Sequence, residues 1–198
     1  MRVIVALMMV FSLAGFFALM SQGKKELPTT YPKAVLLIRH AEKPPDAEMS
    51  IHLNEQGKKR AEALHQLFEK SNARSAPLPK PDFLIAPKAS NKSRRSMETL
   101  EPLATKYNLT IAADYEKEDV EKLSHAIFHD PKYAGKTVLI AWNHTFLPSL
   151  ASTLKAPNTP VTWKDDQFDR VWEIRYGNGG KVEFHDLPQV LMPGDKTK

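Results

Sequence analysis

Short apolar runs alternate with amphipathic stretches along most of the chain. Continuous apolar runs occur at 34–39 (AVLLIR), 82–87 (DFLIAP) and 136–142 (KTVLIAW), and such runs are typical of strands buried on both faces. Residues 108–114 are a candidate for another strand. The sequence at 170–186, RVWEIRYGNGGKVEFHD, predicts a hairpin around a glycine-rich turn.

Helices are predicted between these strands, where apolar residues recur at helical spacing. They are expected at 54–70, with Asn54 as the N-cap, and at 94–107, 118–130 and 147–154. Strand–helix alternation of this kind is typical of a largely parallel sheet covered on both faces. We therefore expect an α/β fold, namely a three-layer αβα sandwich with a mostly parallel central sheet and a C-terminal antiparallel hairpin.

The N-terminal segment differs from the rest of the chain. Arg2 precedes an unbroken apolar stretch at 3–20, which is longer than the usual hydrophobic region of a signal peptide and barely long enough to span a bilayer. Residues 1–23 are therefore predicted to be a signal peptide or a membrane anchor, and either one predicts an exported protein, periplasmic or secreted. Residues 24–33 are predicted to be a linker, and 34–198 a single domain.

Composition narrows the classes of protein that remain. The chain has 198 residues, 42% of them hydrophobic and 26% charged, as expected for a globular domain. The absence of cysteine excludes disulfide bonds, a thiolate nucleophile and cysteine-ligated metal sites. The formal net charge is +5, but basic and acidic residues are interspersed outside the cluster at 88–95. This mixture favours a solvated surface, and we expect no nucleic-acid partner.

Ionisable side chains follow two of the predicted strands directly. Arg39 and His40 come at the end of the first strand, and His144 follows the strand at 136–142. In α/β proteins, ligands bind beyond the carboxyl ends of parallel strands. Arg95 lies at the start of a predicted helix, where free N–H groups favour anions. Two histidines and at least two arginines are therefore expected to bind one anionic ligand, most simply a phosphoryl group.

Four motifs in this order resemble the histidine phosphatase superfamily, whose members have the phosphoglycerate-mutase-like fold. An apolar strand ending in Arg-His is matched by LLIRHAEKP, and a Leu-Ser-x-x-Gly-x-x-Arg-Ala segment by HLNEQGKKRA, with Asn54 in place of Ser. An Arg-x-x-x-Thr segment followed by Pro-Leu is matched by RSMETLEPLA, and an apolar strand ending in His by TVLIAWNH. The matches cover about residues 34–155, and their shared order makes them specific.

This resemblance implies a phosphomonoester hydrolase that uses no metal or cofactor. His40 would be the nucleophile that forms a phosphohistidine, Arg39 and Arg95 would bind the phosphoryl oxygens, and His144 would donate a further hydrogen bond to them. The expected substrate is a phosphorylated small molecule or a phosphopeptide. Two alternatives stay open: a non-catalytic phosphate-binding module of the same fold, and a phosphomutase. Neither the natural substrate nor the oligomeric state can be derived from the sequence.

The resemblance also implies a general acid, often a carboxylate in the loop after the third strand. Glu116 is the preferred residue. The other acids considered are Asp114, Glu118 and Asp119 in the same loop, and Glu42 and Asp169 elsewhere in the chain.

Three further residues carry weaker signals. Arg94 is more typical of a solvated helix start than of a phosphate ligand. His125 and His129 have a spacing that can bind a metal on one helix face, but no third ligand is evident, so surface histidines are expected.

Overall fold

A six-stranded sheet forms the centre of the protein. The computed structural model describes residues 30–45, 48–71, 74–177 and 180–197. The strands are β1 (Ala34–Arg39), β2 (Phe83–Ile85), β3 (Ile111–Ala112), β4 (Thr137–Trp142), β5 (Arg170–Tyr176) and β6 (Val182–Pro188), in the spatial order β3-β2-β4-β1-β5-β6. The first four strands pair in parallel, whereas β5 is antiparallel to both β1 and β6. This arrangement confirms the mostly parallel sheet and the C-terminal hairpin.

Helices cover both faces of the sheet. They are α1 (Glu55–Ala63), α2 (Arg95–Tyr107), α3 (Val120–His129) and α4 (Leu147–Thr153), with short 3₁₀ helices at Leu64–Phe68 and Pro131–Tyr133. Alternate residues of β1 enter two separate apolar clusters: Val35 and Leu37 pack with residues of α3 and α4, and Leu36 and Ile38 with residues of α2 and the first 3₁₀ helix. Because β1 is buried on both faces, its sequence is continuously apolar, and the predicted αβα sandwich is confirmed.

The helix predicted at 54–70 is divided in the structure. It is α-helical only over Glu55–Ala63 and continues as a 3₁₀ helix to Phe68. Leu64 and Leu67 are both buried in the same apolar cluster. Residues three apart align in a 3₁₀ helix, so the tighter winding directs both leucines into the core.

The N-terminal part of the described chain is packed against the domain. The main-chain N–H and the hydroxyl of Thr30 both donate to the carbonyl of Phe128, at 2.7 and 3.2 Å, and Gly135 N–H donates to the carbonyl of Tyr31. Residues 30–33 of the predicted linker are therefore held to the domain surface.

The predicted signal peptide or anchor, residues 1–23, lies outside the described residues. Within the part of the chain that the structure describes, no helix is long and apolar enough to cross a membrane. Export and anchoring thus stay predictions from the sequence.

Candidate active site

His40 lies immediately after β1, at the carboxyl edge of the parallel strands. Its main-chain N–H donates to the carbonyl of Trp142, the last residue of β4, at 3.1 Å, and its side chain is almost completely buried. The ring Nδ1 lies 2.7 Å from the carbonyl oxygen of Ala41. A carbonyl can only accept a hydrogen bond, so Nδ1 carries a proton.

The electrostatic surroundings keep the His40 ring neutral. Burial is the main cause that lowers the pKa of His40 to about 3, and Arg39, Arg95 and His144 lower it further, while the hydrogen bond to Ala41 opposes them. At neutral pH the ring is therefore an uncharged imidazole with an available lone pair. Arg39, Arg95 and His144, the three predicted phosphoryl ligands, therefore each disfavour a second proton on the His40 ring.

Thr99 links helix α2 to the turn that follows His40. Its hydroxyl accepts a hydrogen bond from Ala41 N–H at 2.9 Å and donates one to the carbonyl of Arg95 at 2.7 Å, and the residue is buried. The Arg-x-x-x-Thr spacing therefore corresponds to one helical turn, with the arginine and the anchor for the His40 turn on the same helix. The guanidinium of Arg95 donates from Nη1 to the carbonyl of Ser50 at 2.7 Å.

Gly57 allows helix α1 to approach the segment after β1. A Cβ at this position would lie 2.3 Å from the carbonyl oxygen and 2.9 Å from the nitrogen of Glu42. Asn54 caps the same helix: its side-chain oxygen accepts from Gly57 N–H at 2.8 Å, and its own N–H donates to Glu42 at 3.0 Å. Asn54 thus provides the cap for which the resembled motif uses Ser.

Asp165 contacts two of the candidate site residues and was not predicted from the sequence. Its carboxylate Oδ1 lies 3.1 Å from Nε2 of His144 and 3.3 Å from Nη2 of Arg39. Burial and then Arg39 lower the pKa of His144, while Asp165 opposes this. Two residues expected to bind phosphoryl oxygens therefore contact one carboxylate oxygen of the protein itself.

The segment that carries Asp165 also covers Arg39. Nη1 of Arg39 donates to the main-chain carbonyls of Lys164, at 3.2 Å, and Asp165, and the guanidinium lies 4.0 Å from the ring centroid of Phe168. Burial lowers the pKa of Arg39 to about 10, while Asp165 acts in the opposite direction. Arg39 therefore remains a cation at neutral pH.

The position of this segment follows from sheet pairing. Val171 of β5 lies opposite Ile38 of β1 in antiparallel register, so the residues that enter β5 meet the end at which β1 finishes. The acidic sequence DDQFD at 165–169 is the only signal that could have indicated Asp165, and without the pairing it could not be placed.

A cavity of about 240 Å³ opens beside His40. Glu116 and Glu118 line it together with Lys88 and Lys117, and Glu116 Oε1 lies 3.3 Å from Lys88 Nζ. The indole N–H of Trp142 donates to the carbonyl of Lys117 at 2.9 Å. This hydrogen bond holds the loop after β3, which carries Glu116 and Glu118, against the end of β4. The preferred general acid and the candidate nucleophile therefore line the same cavity.

Most of the other acids considered have partners elsewhere. Glu42 is buried and bound by Arg60 at 2.7 Å, and the carboxylate of Asp169 accepts from the main-chain N–H of Lys196 at 2.9 Å. Asp119 binds Lys122 and the Glu116 N–H. Of the six acids, Glu116 and Glu118 line the cavity beside His40, which makes Glu118 the alternative to Glu116; Asp114 does not line it, and neither do Arg39, Arg95 and His144.

The residues with weaker signals occupy unremarkable positions. The Arg94 side chain is half exposed and lies within 4 Å of Glu98 and Glu101, at 3.9 and 3.7 Å, although it also lines the cavity. The rings of His125 and His129 lie 4.2 Å apart. No group of three or more His, Asp or Glu side chains in the described ranges is arranged to hold a metal ion.

Solved structures of other proteins share this architecture. Phosphoglycerate mutase from Plasmodium falciparum is 13% identical, with a TM-score of 0.53 over 85% of this chain and 98% of that chain. Mycobacterial hydrolase 1 is 12% identical, with a TM-score of 0.51 over 78% of this chain and 96% of that chain. No family model matches the sequence, and no curated protein matches it significantly.

Identities this low show the fold alone. The chain has the phosphoglycerate-mutase-like fold, which confirms the fold implied by the four motifs.

Proposed function

We propose that the protein is a phosphomonoester hydrolase that forms a phosphohistidine at His40. The observation that carries this proposal is the hydrogen bond from Nδ1 to the Ala41 carbonyl in a buried, neutral ring. A nucleophilic imidazole needs one nitrogen held as a donor and the other with a free lone pair. The similar fold of a phosphoglycerate mutase agrees with phosphoryl chemistry at this edge of the sheet.

The reaction has two steps. Nε2 of His40 attacks phosphorus, the bond to the ester oxygen breaks, and that oxygen takes a proton from Glu116. Water then attacks phosphorus, Glu116 takes its proton, the P–N bond breaks and inorganic phosphate leaves. The substrate would be a phosphorylated small molecule or a phosphopeptide, and the residues proposed for both steps include no metal ligand.

Arg39, Arg95 and His144 would bind the phosphoryl oxygens and stabilise their charge in the transition state. Nε of Arg39 is buried and has no hydrogen-bond acceptor among the residues of the described ranges. An unsatisfied buried donor is costly, and a phosphoryl oxygen would satisfy it.

Glu116 as the general acid can be tested by the choice of leaving group. Replacing Glu116 by Gln should lower kcat/KM, which reports the step in which the leaving group departs, by about 10²–10⁴ for alkyl phosphates. It should lower kcat/KM much less for p-nitrophenyl phosphate, because p-nitrophenolate leaves without a proton. The matched control is Glu118→Gln, which changes the same charge in the same cavity. Equal losses for both esters would remove Glu116 from this role.

The central test uses the purified protein with p-nitrophenyl phosphate. We expect hydrolysis that a chelator leaves unchanged, no hydrolysis by His40→Ala, and normal hydrolysis by the control His125→Ala. A rapidly quenched reaction with a ³²P-labelled substrate should trap an acid-labile, base-stable phosphoprotein in the wild type alone. Activity that survives in His40→Ala contradicts the proposal, and binding of phosphate without turnover would indicate a non-catalytic module instead.

A further inference from the structure

We propose that Asp165 is an internal competitor for the phosphoryl group: its carboxylate occupies the anion site between Arg39 and His144 and must leave before substrate binds. This inference rests on the proposed function in one respect, since it takes those two side chains as phosphoryl ligands. It adds an autoinhibitory contact that the motifs do not indicate.

The contact has the geometry of a bound anion. One carboxylate oxygen, Oδ1 of Asp165, lies 3.1 Å from His144 Nε2 and 3.3 Å from Arg39 Nη2. A guanidinium and an imidazole N–H bind a carboxylate oxygen and a phosphoryl oxygen in the same way. A phosphoryl oxygen between these nitrogens would therefore fall where Oδ1 lies, and both cannot be there at once.

The base of the segment is anchored, whereas the Asp165 side chain reaches solvent. Trp163 is buried against Trp172, with ring centroids 4.6 Å apart, and its indole N–H donates to the carbonyl of Gln167 at 2.8 Å. In contrast, the Asp165 side chain is 72% exposed. Rotation of this side chain into solvent would open the anion site without unpacking the segment.

The exposure also sets the size of the effect. Ion pairs that reach solvent contribute little, because water and salt screen them. Asp165 should therefore weaken the binding of a phosphate by a modest factor, about two- to fivefold, and should not abolish it.

The experiment compares neutral substitutions at two adjacent carboxylates in the purified full-length protein. Dissociation constants for inorganic phosphate and for orthovanadate are measured by titration calorimetry for the wild type, Asp165→Asn, Asp165→Ala and the control Asp166→Asn. Asp166 also interacts electrostatically with Arg39 but lines a different cavity, so its substitution reports the long-range effect of one lost charge. We expect both Asp165 variants to bind both anions about two- to fivefold more tightly, and Asp166→Asn to change the dissociation constants by less than about 1.5-fold.

Three outcomes would overturn the inference. Weaker binding by the Asp165 variants would mean that the carboxylate positions Arg39 and His144 for the ligand. Equal changes in the dissociation constants of the Asp165 and Asp166 variants would mean that the lost negative charge, and not the position of the Asp165 carboxylate, causes the effect. If none of these proteins binds either anion, Arg39 and His144 do not form an anion site. Tighter binding without hydrolysis would support the competitor and contradict only the proposed hydrolase.

Discussion

Replacing Gly57 by Ala should destabilise the protein, although the same change usually stabilises a helix. In an unconstrained helix interior, Ala is favoured over Gly by about 0.5–1 kcal/mol. At position 57, however, the new Cβ would lie 2.3 Å from the carbonyl oxygen of Glu42, a main-chain atom that cannot rotate away. Either α1 or the segment after His40 has to shift, and overpacking of this kind costs about 1–3 kcal/mol.

The net expectation is a loss of about 1–2 kcal/mol of unfolding free energy, or about 2–8 °C in Tm for a protein of this size. Thermal unfolding followed by circular dichroism measures it. Gly177→Ala is the matched control, because a Cβ there would lie 3.6 Å from Lys181, an ordinary contact. A Tm for Gly57→Ala equal to or above that of the wild type would refute the argument that close approach requires this glycine.

Two further predictions concern the surroundings of His40. Thr99→Val leaves the buried N–H of Ala41 without its acceptor, which should lower the free energy of unfolding in urea by about 1–3 kcal/mol and lower kcat more than it raises KM. Thr99→Ser should restore both the stability and kcat. Failure of that rescue would contradict a role for the hydroxyl. The folded-state pKa of His40, about 3, lies below its ordinary value of 6.5, so stability present above pH 6.5 is lost as the pH falls towards 3. By pH 5 the wild type should lose about 2 kcal/mol of unfolding free energy relative to His40→Asn. If the unfolding free energies of the two proteins depend on pH in the same way, the low pKa of His40 is wrong.

The local sequence predicted the parts of the structure that depend on near neighbours. The apolar run at 34–39 predicted β1, because a strand buried on both faces has no polar side. Asn54 predicted the start of α1, because its side chain satisfies a donor within the same turn. The helix predicted at 54–70 was correct only to Ala63, since the change to 3₁₀ winding depends on how Leu64 and Leu67 meet the sheet.

The proposed general acid is a feature that the sequence alone could not assign. Six carboxylates were open from the sequence, and their differences arise from partners distant in the chain. Glu42 is bound to Arg60, which also binds Asp195 near the C-terminus at 2.8 Å. No local pattern contains that contact, so only the fold separates Glu42 from Glu116.

By itself, the sequence determined the positions of most strands and helices, a mostly parallel sheet, and the two histidines and two arginines expected at one edge of it. These features follow from periodicity and from the rule that parallel strands end at the same edge. Only the tertiary structure decided that Asp165 lies between Arg39 and His144, that Gly57 touches Glu42, and that the His40 ring is buried and neutral. Each of these depends on atoms far apart in the chain, whose distances are set by packing.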